Sequence, residues 1–445
     1  MNYLDNFLFM LLLVFGIGFF IKNARKLIRN IKLGKATNRF DQPKKRLKNM
    51  ILLAFGQRKI ISKPMIGILH LVLYIGFFFI NIELLEIIVD GISGTHRVFS
   101  FLGKPYNFLI ATSEVLALLI IITVFILLAR RLIVKVKRLQ PPDIKGFSKK
   151  DALYVLFFEL ALMMLFLFMN AADASLQQFK EILDNPYIVA GSFPISKVLH
   201  PIFEGFSYQN LVIMERTFWW LHITGILLFL NYLFYSKHLH ILIAFPNTYF
   251  AKLTPLGKFS TPESVTKEVN LFLNPAADFN SNAADESQEI TTTFGAKDVM
   301  DLNWAQLMNA YTCTECGRCS EVCPANITGK ELSPRTIMMK TRDRLEEVGQ
   351  NIDKNGCFKN DGKQLLNDYI TPTELWACTT CNACVEACPI DIDPMSIILE
   401  MRRYLIMEKS EAPGGVNTMM THVENNGAPW QFNQMDRTNW ISEIE

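Results

Sequence analysis

Five apolar runs, all within the first 245 of 445 residues, restrict this chain more than any other feature. Each is long enough to cross a bilayer, which takes about 20 residues. A segment in lipid must satisfy its own backbone, so each run is predicted to be a helix. Their cores are expected at 4–21, 65–88, 108–129, 152–171 and 212–236. Residues 255–445 read differently, with Asn, Asp, Glu, Lys and Thr throughout, as a soluble domain of ordinary size. The overall 50% hydrophobic content is therefore an average over two unlike parts. The first run, "FLFMLLLVFGIGFFI", leads into basic residues and not into a small-residue cleavage site, so a retained span is expected.

The loops predict the orientation. Lys22 to Lys63 holds fourteen Lys or Arg against one acid, Asp41, and Arg130 to Lys150 holds eight against Asp143. The alternate loops are poor in positive charge: residues 89–106 carry Arg97 and Lys104, and residues 172–209 carry two lysines and four acids. By the positive-inside rule the N-terminus lies outside and the C-terminal domain in the cytoplasm, in a multi-pass protein of the cell inner (plasma) membrane. Lipid is thus one partner, and no nucleic-acid partner is expected.

Eight of nine cysteines fall in two runs of the same spacing, "CTECGRCSEVCP" from Cys313 and "CTTCNACVEACP" from Cys378. Structural zinc uses two spaced pairs, not four cysteines in one short run. Two C-x2-C-x2-C-x3-C-P runs suit a pair of [4Fe–4S] clusters in which the fourth cysteine of each run ligates the other cluster. One cluster is expected on Cys313, Cys316, Cys319 and Cys388, the other on Cys378, Cys381, Cys384 and Cys323. Cys357 is expected to be a free thiol. Helices are predicted around "STPESVTKEVNLFL", over 331–349 ending on Gly349, and over 394–408; no stretch reads as strand-rich.

Histidines in membrane spans are costly and usually functional. His70 lies early in the second span, and His222 lies inside the fifth, with His238 and His240 at its end. Eighteen residues separate His222 from His240, which is five turns of an unbroken helix, so the two share a face while His238 points about 160° away. The direction of the second span puts His70 level with His240, and one haem b between these two imidazoles is the reading that follows.

With these residues in view, the membrane half resembles the five-span cytochrome b subunit of respiratory nitrate reductase. That family has a second histidine ten residues after the first in its second span, where this chain has Ile80. The resemblance therefore implies haem b on His70 and His240. It leaves His222 open between a quinone and a second haem with a ligand such as His96. Residues 300–405, above all "ELWACTTCNACVEACP", resemble the C subunit of heterodisulfide reductase. The fusion is similar to menaquinone reductases that accept electrons from electron-transfer flavoprotein. Those carry a "CCG" domain, and the tail "ENNGAPWQFNQMDRTNW" resembles the segment that meets it. A separate cytoplasmic redox subunit with such a domain, heterodisulfide reductase B-like, is implied as partner.

The expected architecture is an all-α membrane protein. A five-helix cytochrome b-like bundle at 1–245 is followed by a linker at 246–298, an α-helical dicluster ferredoxin domain at 299–410 and a docking tail at 411–445. The expected function is electron transfer between a cytoplasmic partner and the quinone pool, towards menaquinone by analogy. Glu83, Glu86, Glu114 and Glu215, near the outer ends of spans, are candidate proton carriers for quinone chemistry. The alternative is a redox-sensing membrane iron–sulfur protein without quinone turnover. A haem b band on reduction discriminates the two.

Overall fold

The computed structural model describes residues 3–140, 144, 146–183, 187–273 and 293–444. Part of the expected linker, 274–292, lies outside them. The protein is an all-α membrane protein, and no strand occurs among the described residues. Five helices are long and apolar enough to cross a bilayer. They are α1 (Tyr3–Ile31), α2 (Pro64–Ser93), α3 (Lys104–Leu132), α4 (Gly146–Leu183) and α5 (Tyr208–Tyr232). Each packs on the next, and α5 closes on α1, so the bundle is a ring.

The ring has an apolar centre and an apolar outside. Phe9, Ala117, Val124, Phe166 and Ile223 are fully buried within it. Phe15, Ile68, Phe108 and Leu228 are exposed by more than half, in positions that suit lipid contact. Local chemistry sets the helix ends. Pro64 occupies the first turn of α2, and Ser207 caps α5 by accepting from Asn210 N at 3.4 Å.

The remaining helices used below are α6 (His240–Tyr249), α7 (Trp304–Thr312), α8 (Pro334–Asn355), α9 (Pro394–Met407) and α10 (Gly414–Asn426). The expected boundary at 245–246 falls inside α6. This helix is embedded in the soluble domain, where Ile243 and Ala244 join the core of Leu307, Ile337 and Met401. Asn247 Nδ2 donates to Ile390 O at 2.8 Å and its Oδ1 accepts from Asn309 at 2.8 Å.

The soluble domain is docked on the basic loops of the bundle. Lys35 N donates to Leu302 O at 2.8 Å, and Trp304 N returns a bond to Lys35 O at 3.2 Å. Asn30 at the end of α1 donates to Tyr311 Oη at 2.9 Å, and Lys26 and Arg29 both pair with Asp353. Helix α8 runs through Gly349 and stops at Gly356, whose φ of 80° is the left-handed cap. Gly349 is thus not a stop signal. A Cβ there would lie 2.5 Å from Asn30 Nδ2, so the glycine makes room for α1.

Candidate functional site

The two cysteine runs fold alike. In the first, Glu315 and Gly317 have φ of 55° and 76°; in the second, Thr380 and Asn382 at the same places have 55° and 62°. Left-handed residues at matched positions turn the chain tightly enough to present successive thiols to one side. Each run then enters a short helix, Arg318–Glu321 or Ala383–Ala387, and these two helices pack together. Gly317 is required at its place, since a Cβ would meet Arg138 O at 2.9 Å.

The packing brings the fourth cysteine of each run to the other. Cys313, Cys316, Cys319 and Cys388 line one pocket together with Cys384 of the second run. Burial pushes the Cys388 thiol well above its ordinary range, with Cys316 the next cause and Cys319 a smaller one. Cys323 in turn lies among Cys378, Cys381 and Cys384. Burial also pushes Cys313 up to about 11. Among the described residues no three His, Cys, Asp or Glu side chains converge as a single-ion site would need; the thiols surround a space. Backbone N–H groups point at two sulfurs, Thr380 N to Cys378 Sγ at 3.4 Å and Ile392 N to Cys388 Sγ at 3.3 Å. Thiols around a pocket, with amides aimed at sulfur, fit the donor set of a [4Fe–4S] cube. Cys357 is exposed, just past the end of α8.

The first cysteine run and the end of the second abut the bundle. Lys59 donates to Cys388 O at 3.3 Å and pairs with Asp391 at 2.7 Å, while Arg318 donates to Lys59 O at 3.1 Å. Glu315, 5% exposed, reaches across the junction: it binds Lys237 at 2.9 Å, Arg342 at 2.9 Å and Ser148 Oγ at 3.5 Å. None of Gln57, Lys59, Lys237 or Glu315 is evident as functional from the sequence. The one available signal is a carboxylate at 315 where the matching place in the second run is Thr380.

The histidines gather beside this junction, though not by the expected helical arithmetic. The fifth span does not continue to His240. Helix α5 ends at Tyr232, and Ser236 is extended at φ −115°, ψ 152° between two short 3-10 turns. Asp151 holds the break by accepting from Tyr232 Oη at 2.6 Å and Lys237 N at 3.0 Å. His238 therefore does not face away: its ring centroid is 5.4 Å from that of His240, and His70 lies close enough to influence His240.

The ring nitrogens differ in their engagement. His70 Nδ1 bonds Gln57 Oε1 at 2.9 Å, and His240 Nδ1 bonds Lys237 O at 3.1 Å. Both bonds engage Nδ1 and orient the ring. His238 Nε2 instead meets Glu159 at 3.4 Å. Burial, then His238 and His70, holds His240 down to about 3, so its imidazole is neutral, the form that ligates a metal. These residues fit a haem iron held by two imidazoles.

His222 sits deeper in the bundle, 2% exposed, beside Phe166. His96 does not join it. One ring nitrogen of His96 meets Asp173 at 3.4 Å and the other meets Arg216 at 3.3 Å, in a polar network at the far end of the bundle.

Comparison with known proteins agrees with the soluble site. A family model described as a 4Fe-4S dicluster domain matches residues 312–392. The chain is 28% identical over 466 aligned residues to the "Probable iron-sulfur-binding oxidoreductase FadF" of Bacillus subtilis, covering 98% of this chain and 60% of that protein. It is 27% identical to the "EtfAB:quinone oxidoreductase" of Syntrophomonas wolfei, covering 91% of this chain and 55% of that protein. A protein of Archaeoglobus profundus, described as like the C subunit of heterodisulfide reductase, is 29% identical over 96 residues, 22% of this chain and 40% of that one. The chain thus spans only 60% and 55% of the first two relatives. No solved structure matches. The relatives are iron–sulfur oxidoreductases, and a redox role on a 4Fe-4S dicluster domain in a membrane protein follows for this chain.

Proposed function

We propose that the chain is the membrane electron-transfer subunit of a quinone-linked oxidoreductase, a cytochrome b-type bundle fused to a dicluster ferredoxin domain. The observation that carries this reading is the junction. The Glu315–Lys237 ion pair joins the loop of the first cysteine run to the turn that carries His238 and His240, whose rings are 5.4 Å apart. Cys313, Cys316, Cys319 and Cys388 would hold one [4Fe–4S] cluster, and Cys378, Cys381, Cys384 and Cys323 the other. His70 and His240 would hold haem b through Nε2. When bound, these groups supply one-electron carriers.

The chain's own residues arrange and insulate them. Arg318 ties the first cysteine run to the bundle at Lys59 O, Lys59 holds the end of the second by donating to Cys388 O, and Arg402 fixes the start of the second by donating to Leu375 O and Cys378 O. Cys381 is the exposed member of the second set and lines a surface cleft with Leu256, Val322 and Glu386. A soluble redox partner would meet the domain there, on the cytoplasmic side of the inner membrane. The tail supports a docking role. Helix α10 buries no residue, and Trp430, Met435 and Trp440 are exposed by 46%, 84% and 59%. A cytoplasmic subunit with a CCG domain, heterodisulfide reductase B-like, is the proposed occupant. The likeness to a relative named EtfAB:quinone oxidoreductase supports electron-transfer flavoprotein as donor and a quinone, menaquinone in this reading, as acceptor.

The test is purification of the full chain in mild detergent, with iron and haem counts and a dithionite-reduced spectrum. About eight irons and one haem b per chain are expected. A preparation with full iron and no haem b band would sink the cytochrome reading.

A further inference from the structure

The four candidate proton carriers of the bundle are not equivalent in the structure. Glu86 accepts from Phe99 N at 2.9 Å and from Tyr106 Oη at 2.8 Å. Glu114 accepts from Ile195 N at 2.9 Å, Ser196 N at 3.1 Å and Ser196 Oγ. Glu215 is bound by Arg216. Glu83 is 3% exposed, and neither of its carboxyl oxygens meets a cation, a backbone N–H or a tyrosine among the described residues; its polar neighbour is the Ser113 hydroxyl. Ser113, on α3 and 0% exposed, has no partner for its Oγ other than Glu83 among the described residues.

The charged groups that bear on Glu83 are Arg97, Glu86 on its own helix and Glu114 on α3. The cation among them is already committed. Arg97 donates to Asp173 at 2.7 Å, Tyr106 at 3.0 Å and Asn170 at 2.9 Å. A carboxylate buried without a partner is far costlier than the neutral acid. An ionisable side chain inside a membrane bundle with no counter-charge of its own marks a proton or substrate path. Glu86 stands three residues on, hence on the same helix face, and its bond to Tyr106 leads towards the far end of the bundle.

We infer that Glu83 is the proton-carrying group of the quinone reaction, with Ser113 as its hydrogen-bonding companion and Glu86 as its link to the far side. The inference rests on the quinone-linked reading above. Quinone, two electrons and two protons give quinol. The electrons come one at a time through the chain from a reduced flavoprotein-class donor. Glu83 gives its O–H proton to a quinone oxygen, becomes a carboxylate, and regains a proton from far-side water by way of Glu86. Two such cycles complete one quinol, and the reverse sequence oxidises it.

The test uses the full cofactor-loaded chain in detergent with a short-chain naphthoquinol as reductant, following haem b reduction and the redox-difference infrared spectrum. Glu83→Gln is expected to slow quinol-driven haem reduction about a hundredfold, the usual effect of losing a positioned proton carrier. Dithionite-driven reduction is expected to stay unchanged. The C=O signal of a protonated carboxyl should vanish in Glu83→Gln and move in Glu83→Asp. A carboxyl signal that persists unchanged in Glu83→Gln, or a quinol-driven rate equal to that of the unmodified chain, overturns the assignment. If Glu83→Gln does not assemble, the Glu83→Asp spectrum decides, and an unmoved signal overturns it. An unmodified chain that takes no electrons from the quinol refutes the quinone reading itself, and the assignment falls with it.

Discussion

Replacing Glu315 by Ala removes one carboxylate that serves partners on both sides of the junction. Its side chain is 2% exposed, and the two cations it neutralises, Lys237 and Arg342, are 12% and 15% exposed. Breaking a buried pair from one side costs about 3–5 kcal/mol, because the partner charge stays buried. The partial exposure of both cations places the cost near the lower end, about 3 kcal/mol. That corresponds to roughly a hundredfold in an equilibrium or a rate. Backbone strain adds a second arm. Glu315 has a φ of 55°, which a non-glycine residue holds at a cost of about 1 kcal/mol or more. Glu315→Gly should therefore be about fivefold milder than Glu315→Ala. The assay is the rate at which iron leaves the detergent-purified full chain into a chelator, with haem followed in parallel. Glu315→Ala should lose iron from the first site on the order of a hundredfold faster. It should also release haem, since Lys237 O orients His240. The effect should change little with salt, unlike that of breaking the exposed Lys26–Asp353 pair. An Ala variant that keeps its iron as long as the unmodified chain refutes the account of the junction. A Gly variant no milder than Ala refutes the strain argument.

Three further outcomes follow from the same structure. Cys384→Ser should lose one cube, about half the iron, and slow electron flow to the haem, because a hydroxyl does not replace a thiolate at this iron site; iron analysis with no loss contradicts the cluster assignment. His70→Ala and His240→Ala should each abolish the haem b band, whereas His238→Ala should keep it with a shifted midpoint potential, because His238 Nε2 is engaged by Glu159; loss in His238→Ala with retention in His240→Ala would exchange their roles. Truncation after Pro413 should leave clusters and haem spectrally intact, since α10 buries nothing, but should release the cytoplasmic partner in a pull-down; loss of the clusters would show that the tail belongs to the domain.

The membrane spans and the cysteine runs are legible in the sequence because each is encoded locally. A run of apolar residues can only be a helix in lipid, and a repeated four-cysteine spacing carries its own geometry. What escaped local reading depends on distant partners. The fifth span looks continuous to His240, yet Asp151, far away in the chain, breaks it at Ser236. Gly349 resembles a helix stop but is an interior residue that yields space to Asn30. Glu83, Glu86, Glu114 and Glu215 read as four similar acids, and only their partners, from Phe99 to Ser196, separate them. The tail has no periodicity to announce α10, because a helix that buries no face carries no apolar stripe.

The placement of Cys388 beside Cys316 and Cys319 also sets a clock for biogenesis. The first pocket lacks its last wall until 75 residues (388 − 313) have been added after its first cysteine. By then all five apolar helices and the basic loops that receive the domain have already been synthesised. In chain order, all five apolar helices thus precede both cysteine runs.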